Sequence, residues 1–270
     1  MNGRLKRAIR QLLPRSIGRH TIKSGPLRGS TIVTSWHDYP GAIMGSTERA
    51  LLDCFAKNVN KGETWLDIGA HYGYTAIALC KLVGPAGRVF AFEPMLSTSG
   101  CICSTRSLND LAHLTVIPTA LGNCPDVEMN SLHSSRGMID STLQGCDGFK
   151  ETFVVSRLDW LWPRISGPDL RIDGIKIDVQ GMELQVLEGM EALAKKYQPK
   201  LLIELHKGVS RSKLLDLIAS IGYEPHGSAV EPLPGETEPL YADDRTYMFA
   251  VDKMNSNAHG SESTLSTCRD

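Results

Sequence analysis

The sequence lacks any apolar run that approaches the roughly 18 residues needed for a membrane-spanning helix. Its N-terminus also lacks the uninterrupted apolar segment of a secretion signal. These two absences argue against a membrane-spanning or secreted protein and favour a soluble chain. We therefore expect the protein to be cytoplasmic.

The seven cysteines lack the C-x-x-C pairs that mark a zinc site or a redox motif, and their number is odd. Reduced thiols in a cytoplasmic enzyme fit this pattern better than a framework of disulfides. Histidine, aspartate and glutamate residues also lack the sequence spacing of a zinc site. The sequence accordingly predicts no bound metal.

Acidic residues are absent from the first 30 positions, which hold eight Lys or Arg. The whole chain has a formal net charge of −1, so the remainder carries about −9, and no nucleic-acid partner is expected. Residues 4–13 have apolar side chains at helical spacing, and Pro14 ends the pattern. This basic helix either contacts an anionic membrane or an acidic acceptor, or is a frayed helix packed on its own domain. We expect residues 1–24 to be dispensable for ligand binding.

Residues 64–79 read TWLDIGAHYGYTAIAL, and the rest of the chain is organised around this stretch. Apolar side chains up to position 68 predict a strand, and the residues from Thr75 onwards predict a helix. Between them, Gly69 and Gly73 allow a tight turn and the close approach of a ligand to the backbone. The first turn of the helix adds unpaired N–H groups that point into the same space.

A second strand, RVFAF at residues 88–92, ends in Glu93 and Pro94, so a carboxylate follows Gly69 by 24 positions. An acidic residue about 20 positions after the first glycine of such a turn accepts hydrogen bonds from a ribose diol. The two segments together predict a site for a nucleoside-bearing cofactor.

The glycine turn lacks the third glycine of the G-x-G-x-x-G pattern, which packs against the pyrophosphate of a dinucleotide. Asp67, which precedes the first glycine, would repel a pyrophosphate and suits a ligand with positive charge. S-adenosylmethionine carries positive charge on both its ammonium and its sulfonium group. These features favour S-adenosylmethionine over a nicotinamide dinucleotide.

WLDIGAHYGYTAIAL followed by VFAFEP resembles the pair of cofactor motifs of class I methyltransferases. DGIKIDVQGMELQVLEGM at residues 173–190 and PKLLIELH at residues 199–206 resemble the FkbM-like methyltransferase family, and the similarity extends over residues 47–206. The resemblance implies S-adenosyl-L-methionine as donor and O-methylation of a hydroxyl on a sugar, glycan or natural product. It also implies cofactor contacts from Asp67, Gly69, Ala70, His71, Gly73, Tyr74, Glu93, Pro94, Ala120 and Leu121.

Strands alternate with helices along residues 47–252, which predicts a single α/β domain. We expect a Rossmann-like, doubly wound fold with a mostly parallel sheet of about seven strands and an antiparallel C-terminal strand. Helices are predicted at residues 47–59, 75–82, 96–111, 182–196 and 210–221, and the later strands at residues 114–120, 175–179, 201–205 and 246–251. A basic segment and cap (residues 1–46) precedes the domain, and a Ser-, Asn- and Gly-rich tail (residues 253–270) is predicted to be disordered.

Residues 124–171 show the least regular pattern, with short strand-like pieces at residues 127–132 and 152–156 and a turn at residues 158–161. Insertions at the carboxyl end of an open α/β sheet commonly carry the acceptor pocket, so we assign a mobile loop at residues 134–137 to it. The aromatic loop at residues 36–40 is either a second part of this pocket or a capped turn.

The carboxyl ends of parallel strands meet at one edge of a sheet, which brings together Asp67, Glu93, Asp178, Glu204 and His206. Asp178 is our first candidate for a general base or orienting acceptor, and the alternative is a structural acid bonded to backbone N–H groups. His206 beside Glu204 is either a second candidate base or a satisfied ion pair. The FkbM-like family most often has Glu at the position of Gln180, so a metal site built from that segment is not expected.

Three classes of function remain open at this point. The first is an S-adenosylmethionine-dependent O-methyltransferase (EC 2.1.1 class) acting on a small-molecule or glycan acceptor. The second is a nicotinamide-dependent dehydrogenase on a similar sheet, which tight binding of NADH would support. The third is a protein that binds the cofactor without turnover, which a methyl group that is bound but never transferred would support.

Overall fold

The computed structural model describes residues 11–135, 138–139, 150–167 and 169–252. Three predicted features fall wholly or partly outside these ranges: the N-terminal basic helix at residues 4–10, the loop at residues 136–137, and the tail at residues 253–270. No helix in the described ranges is both long and apolar enough to cross a membrane. The cysteines within these ranges are free thiols.

The described residues form thirteen strands and eight helices, most of them short. The strands are β1 (Gly18–Thr21), β2 (Thr31–Thr34), β3 (Thr64–Ile68), β4 (Arg88–Phe92), β5 (Leu114–Ile117), β6 (Ala120–Leu121), β7 (Val127–Ser135), β8 (Met138–Ile139), β9 (Lys150–Ser156), β10 (Gly174–Ile177), β11 (Lys200–Leu205), β12 (Ser228–Ala229) and β13 (Arg245–Phe249). The helices are α1 (Pro40–Met44), α2 (Arg49–Asn58), α3 (Tyr74–Val83), α4 (Leu96–Leu108), α5 (Leu158–Ile165), α6 (Glu183–Glu188), α7 (Glu191–Tyr197) and α8 (Arg211–Ser220).

The central sheet has seven strands in the order β12-β13-β11-β10-β3-β4-β5. The five strands from β11 to β5 are parallel, whereas β13 runs antiparallel to β11 and β12 antiparallel to β13. This arrangement confirms the predicted Rossmann-like fold and its antiparallel C-terminal strand. It also places the carboxyl ends of β4, β3, β10 and β11 next to one another along one edge.

Two hydrophobic cores lie on opposite faces of the sheet, because successive side chains of a strand point to opposite sides. Trp65 packs in one core with α2 and α3, while Leu66 and Ile68 pack in the other with α6, α7 and α8. Asp67 and Lys176 interrupt this apolar pattern at paired positions of β3 and β10. These two charged residues are therefore buried side by side within the sheet.

The helix predicted over residues 182–196 is instead two helices, α6 and α7, with a break at Gly189. A Cβ on Gly189 would lie 1.9 Å from the carbonyl oxygen of Gly122, so the chain approaches a neighbouring loop there too closely for any side chain. The prediction of one continuous helix is wrong because helical periodicity continues across the break.

The turn predicted at residues 158–161 is also wrong, because these residues begin helix α5. Leu158 and Trp162 are buried at i and i+4, and Pro163 lies within the helix. The strand predicted at residues 114–120 ends at Ile117, and Ala120 starts β6, which belongs to a separate four-stranded sheet in the order β6-β9-β7-β8.

The N-terminal cap packs directly on the domain. Strand β1 pairs with β2, and the Ile22 N–H donates to the carbonyl of Ser30 at 2.8 Å. Ile22 also belongs to the same hydrophobic core as Trp65. A deletion of residues 1–24 would therefore remove part of the fold, which argues against the expectation that this segment is dispensable for ligand binding, although that expectation stays a prediction.

Ile22→Val is expected to lower the free energy of unfolding by about 0.5–1.5 kcal/mol, the usual cost of one methylene removed from a core. Ile17→Val is the matched control, because Ile17 is 50% exposed whereas Ile22 is 1% exposed. Chemical denaturation measures both variants. Equal effects at the two positions would show that Ile22 is not part of the core in solution.

Candidate active site

A cavity of about 260 Å³ lies along the carboxyl edge of the central sheet. Its wall runs from the β4–β6 side, with Phe92, Pro94 and Leu121, to the β10–β11 side, with Asp178 and Glu204. The loop after β3 lies between these two ends, since β3 is the strand between β4 and β10. The cavity thus has a mainly apolar end and an acidic end.

The glycine loop after β3 owes its shape to backbone contacts. Gly69 has a φ of +80°, and a Cβ there would lie 1.8 Å from the carbonyl oxygen of Asp178. The N–H groups of Gly69 and Ala70 both donate to the carbonyl of Phe92 at 3.0 Å. Gly69 is therefore required so that the loop can pass close to the end of β10. The sequence had suggested a different reason for this glycine, namely the close approach of a ligand.

Glu93 lies at the end of β4 and is almost fully buried. Its Oε2 accepts the His71 N–H at 2.8 Å, and its Oε1 accepts the Met95 N–H at 3.1 Å. Burial raises the pKa of Glu93 to about 8, although these two N–H groups favour the charged form. A carboxylate has about four acceptor positions, so each oxygen retains one for a further donor.

Asp67 is fully buried, and it does not line the cavity. Its Oδ2 accepts the hydroxyl of Thr75 at 2.7 Å, and its Oδ1 lies 3.3 Å from Lys176 Nζ. Asp67 thus links β10 to the first turn of α3. In this arrangement it reaches a ligand only through Thr75 and Lys176, both of which line the cavity.

Lys176 was not identified from the sequence. Its Nζ lies 3.3 Å from Asp67 Oδ1 and 3.2 Å from Asp178 Oδ2, and it donates to the carbonyl of Gly69 at 3.1 Å. Burial would lower the pKa of Lys176, but the charges of Asp178 and Asp67 outweigh it and hold that pKa above its ordinary value. A lysine between Ile175 and Ile177 in a buried strand was the signal that could have revealed it.

The acidic end of the cavity brings together Asp178, Glu204 and His206. His206 Nε2 lies 3.6 Å from Asp178 Oδ1 and 3.6 Å from Glu204 Oε1. On the other side of the ring, His206 Nδ1 lies 2.8 Å from Oε1 of the buried Glu183, which therefore accepts the Nδ1 proton. Glu183 was also missed in the sequence, where it reads only as an acidic residue in the first turn of a helix.

The charges at this end shift the pKa values of Asp178, Glu204 and His206 in different directions and by different amounts. Burial would raise the pKa of Asp178, but the Lys176 ammonium and the His206 ring outweigh it and lower that pKa. The Asp178 charge, followed by burial, raises the pKa of Glu204 to about 8. Burial would lower the pKa of His206, but the Glu183 hydrogen bond and the Asp178 charge raise it to about 9. Glu204 is consequently the carboxyl group that most readily holds a proton near neutral pH.

The aromatic loop at residues 36–40 forms another part of the cavity wall. Asp38 and Tyr39 line the cavity, and the Tyr72 hydroxyl donates to Asp38 Oδ2 at 2.9 Å. Tyr39 also contacts the His71 ring, with 4.8 Å between centroids. Glu48, just before α2, adds a further acid to the wall. The loop thus lines the cavity and is also a capped turn, because the Asp38 N–H donates to Ser35 Oγ at 3.0 Å.

The chain matches the model of a known protein family. A model of the methyltransferase FkbM domain matches residues 67–225, which is more than half of the sequence. The chain belongs to the FkbM methyltransferase family. This confirms the resemblance stated from the sequence, and S-adenosyl-L-methionine is accordingly the cofactor. A comparison with curated proteins gave no significant match.

Solved structures of methyltransferases share only low sequence identity with this chain. Methyltransferase FkbM from Methylobacillus flagellatus KT is 20% identical with a TM-score of 0.45, and the match covers 69% of this chain but only 43% of that one. Aeropyrum pernix fibrillarin, solved with natively bound S-adenosyl-L-methionine, is 14% identical with a TM-score of 0.47, covering 88% and 89% of the two chains. The O-methyltransferase TomG from Streptomyces achromogenes is 12% identical with a TM-score of 0.46, covering 75% and 78%. The family assignment therefore rests on the residues matched by the family model.

Most predicted site residues of this FkbM methyltransferase line the cavity, namely Gly69, Ala70, His71, Glu93, Pro94, Ala120, Leu121, Asp178 and Glu204. Asp67, Gly73, Tyr74 and His206 are buried and do not line the cavity. The contacts of all these residues with the cofactor and the acceptor stay predictions.

The expectation of no bound metal stays a prediction, although three possible ligand atoms lie close together. One oxygen each of Asp178 and Glu204 and one ring nitrogen of His206 lie within 4.8 Å of one another. The sequence predicted that these three residues converge, but it did not indicate metal ligands, because residues from the ends of two strands, β10 and β11, have no recognisable metal-site spacing. This cluster does not include position 180, so the absence of Glu there leaves its three ligand atoms in place.

Proposed function

We propose that this FkbM methyltransferase transfers the methyl group of S-adenosylmethionine to a hydroxyl group of a sugar, glycan or natural product. The observation that carries the proposal is the division of the cavity between Glu93 and the glycine loop on one side and Asp178, Glu204 and His206 on the other. A donor half and a proton-accepting half in one cavity suit transfer to an alcohol.

The donor half accommodates an adenosyl group in this proposal. The remaining acceptor positions of Glu93 take the ribose hydroxyls, and the apolar surface of Phe92, Pro94 and Leu121 contacts the adenine ring. The methionine part then extends along Gly69, Ala70 and His71, towards β10. The methyl group is thereby directed at the acidic end.

The chemical step is an in-line displacement. The acceptor oxygen forms a bond to the methyl carbon, the bond between that carbon and sulfur breaks, and the sulfonium leaves as a neutral thioether. The hydroxyl proton passes to the acidic cluster. Glu204 suits this role better than Asp178, because the Lys176 ammonium makes Asp178 a weak base and leaves it to orient the hydroxyl.

Methyl transfer is tested directly with labelled S-adenosylmethionine and a panel of glycosides and other hydroxyl-bearing small molecules. The expected result is labelled product from at least one member of the panel, analysed for an O-methyl group. Labelled amine or carbon products in its place would contradict O-methylation. A donor that binds while no acceptor of any class is methylated would support a protein without turnover.

Glu93→Ala is expected to weaken S-adenosylmethionine binding by about 1.5–3 kcal/mol, the scale of hydrogen bonds to a charged group. Calorimetry measures the affinity, with NADH titrated in parallel and expected to show no comparable binding. Thermal unfolding of the ligand-free variant is followed as well, because Glu93 also accepts the His71 and Met95 N–H groups.

Glu191→Ala is the matched control for Glu93→Ala, because Glu191 is an exposed acid on α7 that pairs with Lys195. Its affinity for the donor is expected to equal that of the parent. An unchanged affinity for S-adenosylmethionine in a folded Glu93→Ala protein would contradict the ribose contact. Tight binding of NADH to the parent would instead support a nicotinamide-dependent dehydrogenase.

A further inference from the structure

The two carboxylates at the acidic end are each anchored through one oxygen and direct the other at His206. Asp178 uses Oδ2 for the ion pair with Lys176 at 3.2 Å, and Glu204 uses Oε2 to accept the Thr246 hydroxyl at 3.2 Å. Their remaining oxygens each lie 3.6 Å from His206 Nε2. This distance is too long for a good hydrogen bond, so the three atoms do not satisfy one another, and the Gln180 amide nitrogen bridges two of them, at 3.4 Å from Asp178 Oδ1 and 2.9 Å from His206 Nε2.

His206 is anchored in the same manner. Its Nδ1 donates to Glu183 Oε1 at 2.8 Å, so that Nε2, once a binding cation displaces its proton, directs its lone pair at the two carboxylates. Glu183 Oε1 is fixed in turn by the Gly181 N–H at 3.1 Å. Histidines that bind metals characteristically donate their other ring N–H to a carboxylate, which sets the direction of the coordinating nitrogen.

The cluster carries more negative charge than its described neighbours neutralise. Asp178, Glu183 and Glu204 surround a single imidazole, and Lys176 is shared with Asp67. Glu183 is fully buried, and its Oε2 has no hydrogen-bond partner among the described residues. Buried anions are normally paired or coordinate metals, so this surplus calls for a further cation.

We propose that Asp178, Glu204 and His206 bind one octahedral divalent cation of the Mg²⁺ or Mn²⁺ class. Their three ligand atoms lie within 4.8 Å of one another, and bonds of about 2.1 Å to one ion separate ligands by at most about 4.2 Å. Inward shifts of a few tenths of an ångström therefore complete the site. Carboxylate oxygens suit both ions, and the imidazole nitrogen favours Mn²⁺ over Mg²⁺. The Gln180 amide, 2.9 Å from Nε2, gives way to the ion.

Three protein ligands leave coordination positions open on the cavity side, which Asp178 and Glu204 line. An acceptor hydroxyl that binds there is oriented and becomes more acidic, because the ion stabilises the developing alkoxide. This consequence rests on the proposed methyl transfer, whereas binding of the ion does not. The two proposals can therefore fail separately.

The test titrates chelator-treated, dialysed full-length protein with MnCl₂ in the absence of cofactor, and follows free Mn²⁺ by electron paramagnetic resonance. The expected result is one saturable Mn²⁺ per chain. Glu204→Gln and His206→Gln are expected to weaken this binding at least about tenfold, and Glu183→Gln by about 10–100-fold through loss of the histidine anchor.

Glu191→Gln is the matched control and is expected to bind Mn²⁺ like the parent, because Glu191 is an exposed acid on α7. Glu204→Gln decides the test if the buried His206 variant does not fold, since Glu204 is partly exposed, and thermal unfolding without Mn²⁺ confirms that each variant is folded. Absence of saturable binding to the parent, or an unchanged affinity in folded Glu204→Gln, overturns the proposal. Either result leaves the methyl-transfer assay with labelled donor unaffected.

Discussion

Lys176→Met is expected to lower the free energy of unfolding by about 3–5 kcal/mol, because it leaves a buried charge without its partner. Lys176 is 3% exposed and Asp67 is 0% exposed, with 3.3 Å between Nζ and Oδ1. Methionine has a similar length and is apolar, so the packing between Ile175 and Ile177 is retained. The cost therefore arises from the uncompensated carboxylate. Chemical denaturation followed by circular dichroism measures it.

Lys195→Met is the matched control for this prediction. Lys195 is 50% exposed, and its ion pair with Glu191 on the surface of α7 is expected to contribute about 0–1 kcal/mol. The double variant Lys176→Met/Asp67→Asn is expected to lose less than the sum of the single variants, because the fully buried Asp67 then no longer carries an unpaired charge, and only the more exposed Asp178 does. A decrease of less than about 1 kcal/mol in the free energy of unfolding of Lys176→Met would show that Asp67 is not a buried, charged carboxylate that depends on Lys176.

The sequence allowed the sheet and the donor half of the cavity to be predicted, because their signals are local. Strand β4 coincides with the predicted RVFAF segment, and Glu93 follows directly at its end. The glycine loop joins a strand and a helix at the predicted place, and parallel topology then brings Asp178 beside it. Periodicity and strand direction are sufficient for these inferences.

The roles of Glu183 and Lys176 at the acidic end could not be predicted in the same way, because they depend on contacts between distant segments. Glu183 reaches His206 only because the chain turns sharply at Gln180 and Gly181, both with positive φ, before α6 begins. No sequence pattern predicts that turn at Gln180. Lys176 likewise acquires its role only when β10 pairs with β3 and places it opposite Asp67.

Glu204→Gln is expected to lower kcat by about 10²–10⁴, the usual contribution of a positioned base, while the Kd of S-adenosylmethionine stays within a few-fold of the parent value. The amide keeps the shape of the side chain and its contact with Thr246 but cannot take a proton. Without a bound metal ion, the pKa of Glu204 is raised to about 8, so in chelator-treated enzyme its basic form accumulates as the pH rises. The kcat/KM of the parent should therefore increase up to about pH 8, and the variant should lose this dependence. Transfer of labelled methyl to an acceptor from the hydroxyl panel measures both.

Asp178→Asn, assayed beside Glu204→Gln, separates the remaining alternatives, and Glu191→Gln serves as the exposed control. A parent-like kcat in Glu204→Gln combined with a large loss in Asp178→Asn would make Asp178 the proton acceptor, as the sequence first suggested. The same result would mean that Lys176 does not depress the basicity of Asp178 once the acceptor is bound. If both variants are nearly as fast as the parent, no side-chain base is needed. The sulfonium is a good leaving group, so alignment of the hydroxyl with the methyl carbon would then account for the reaction.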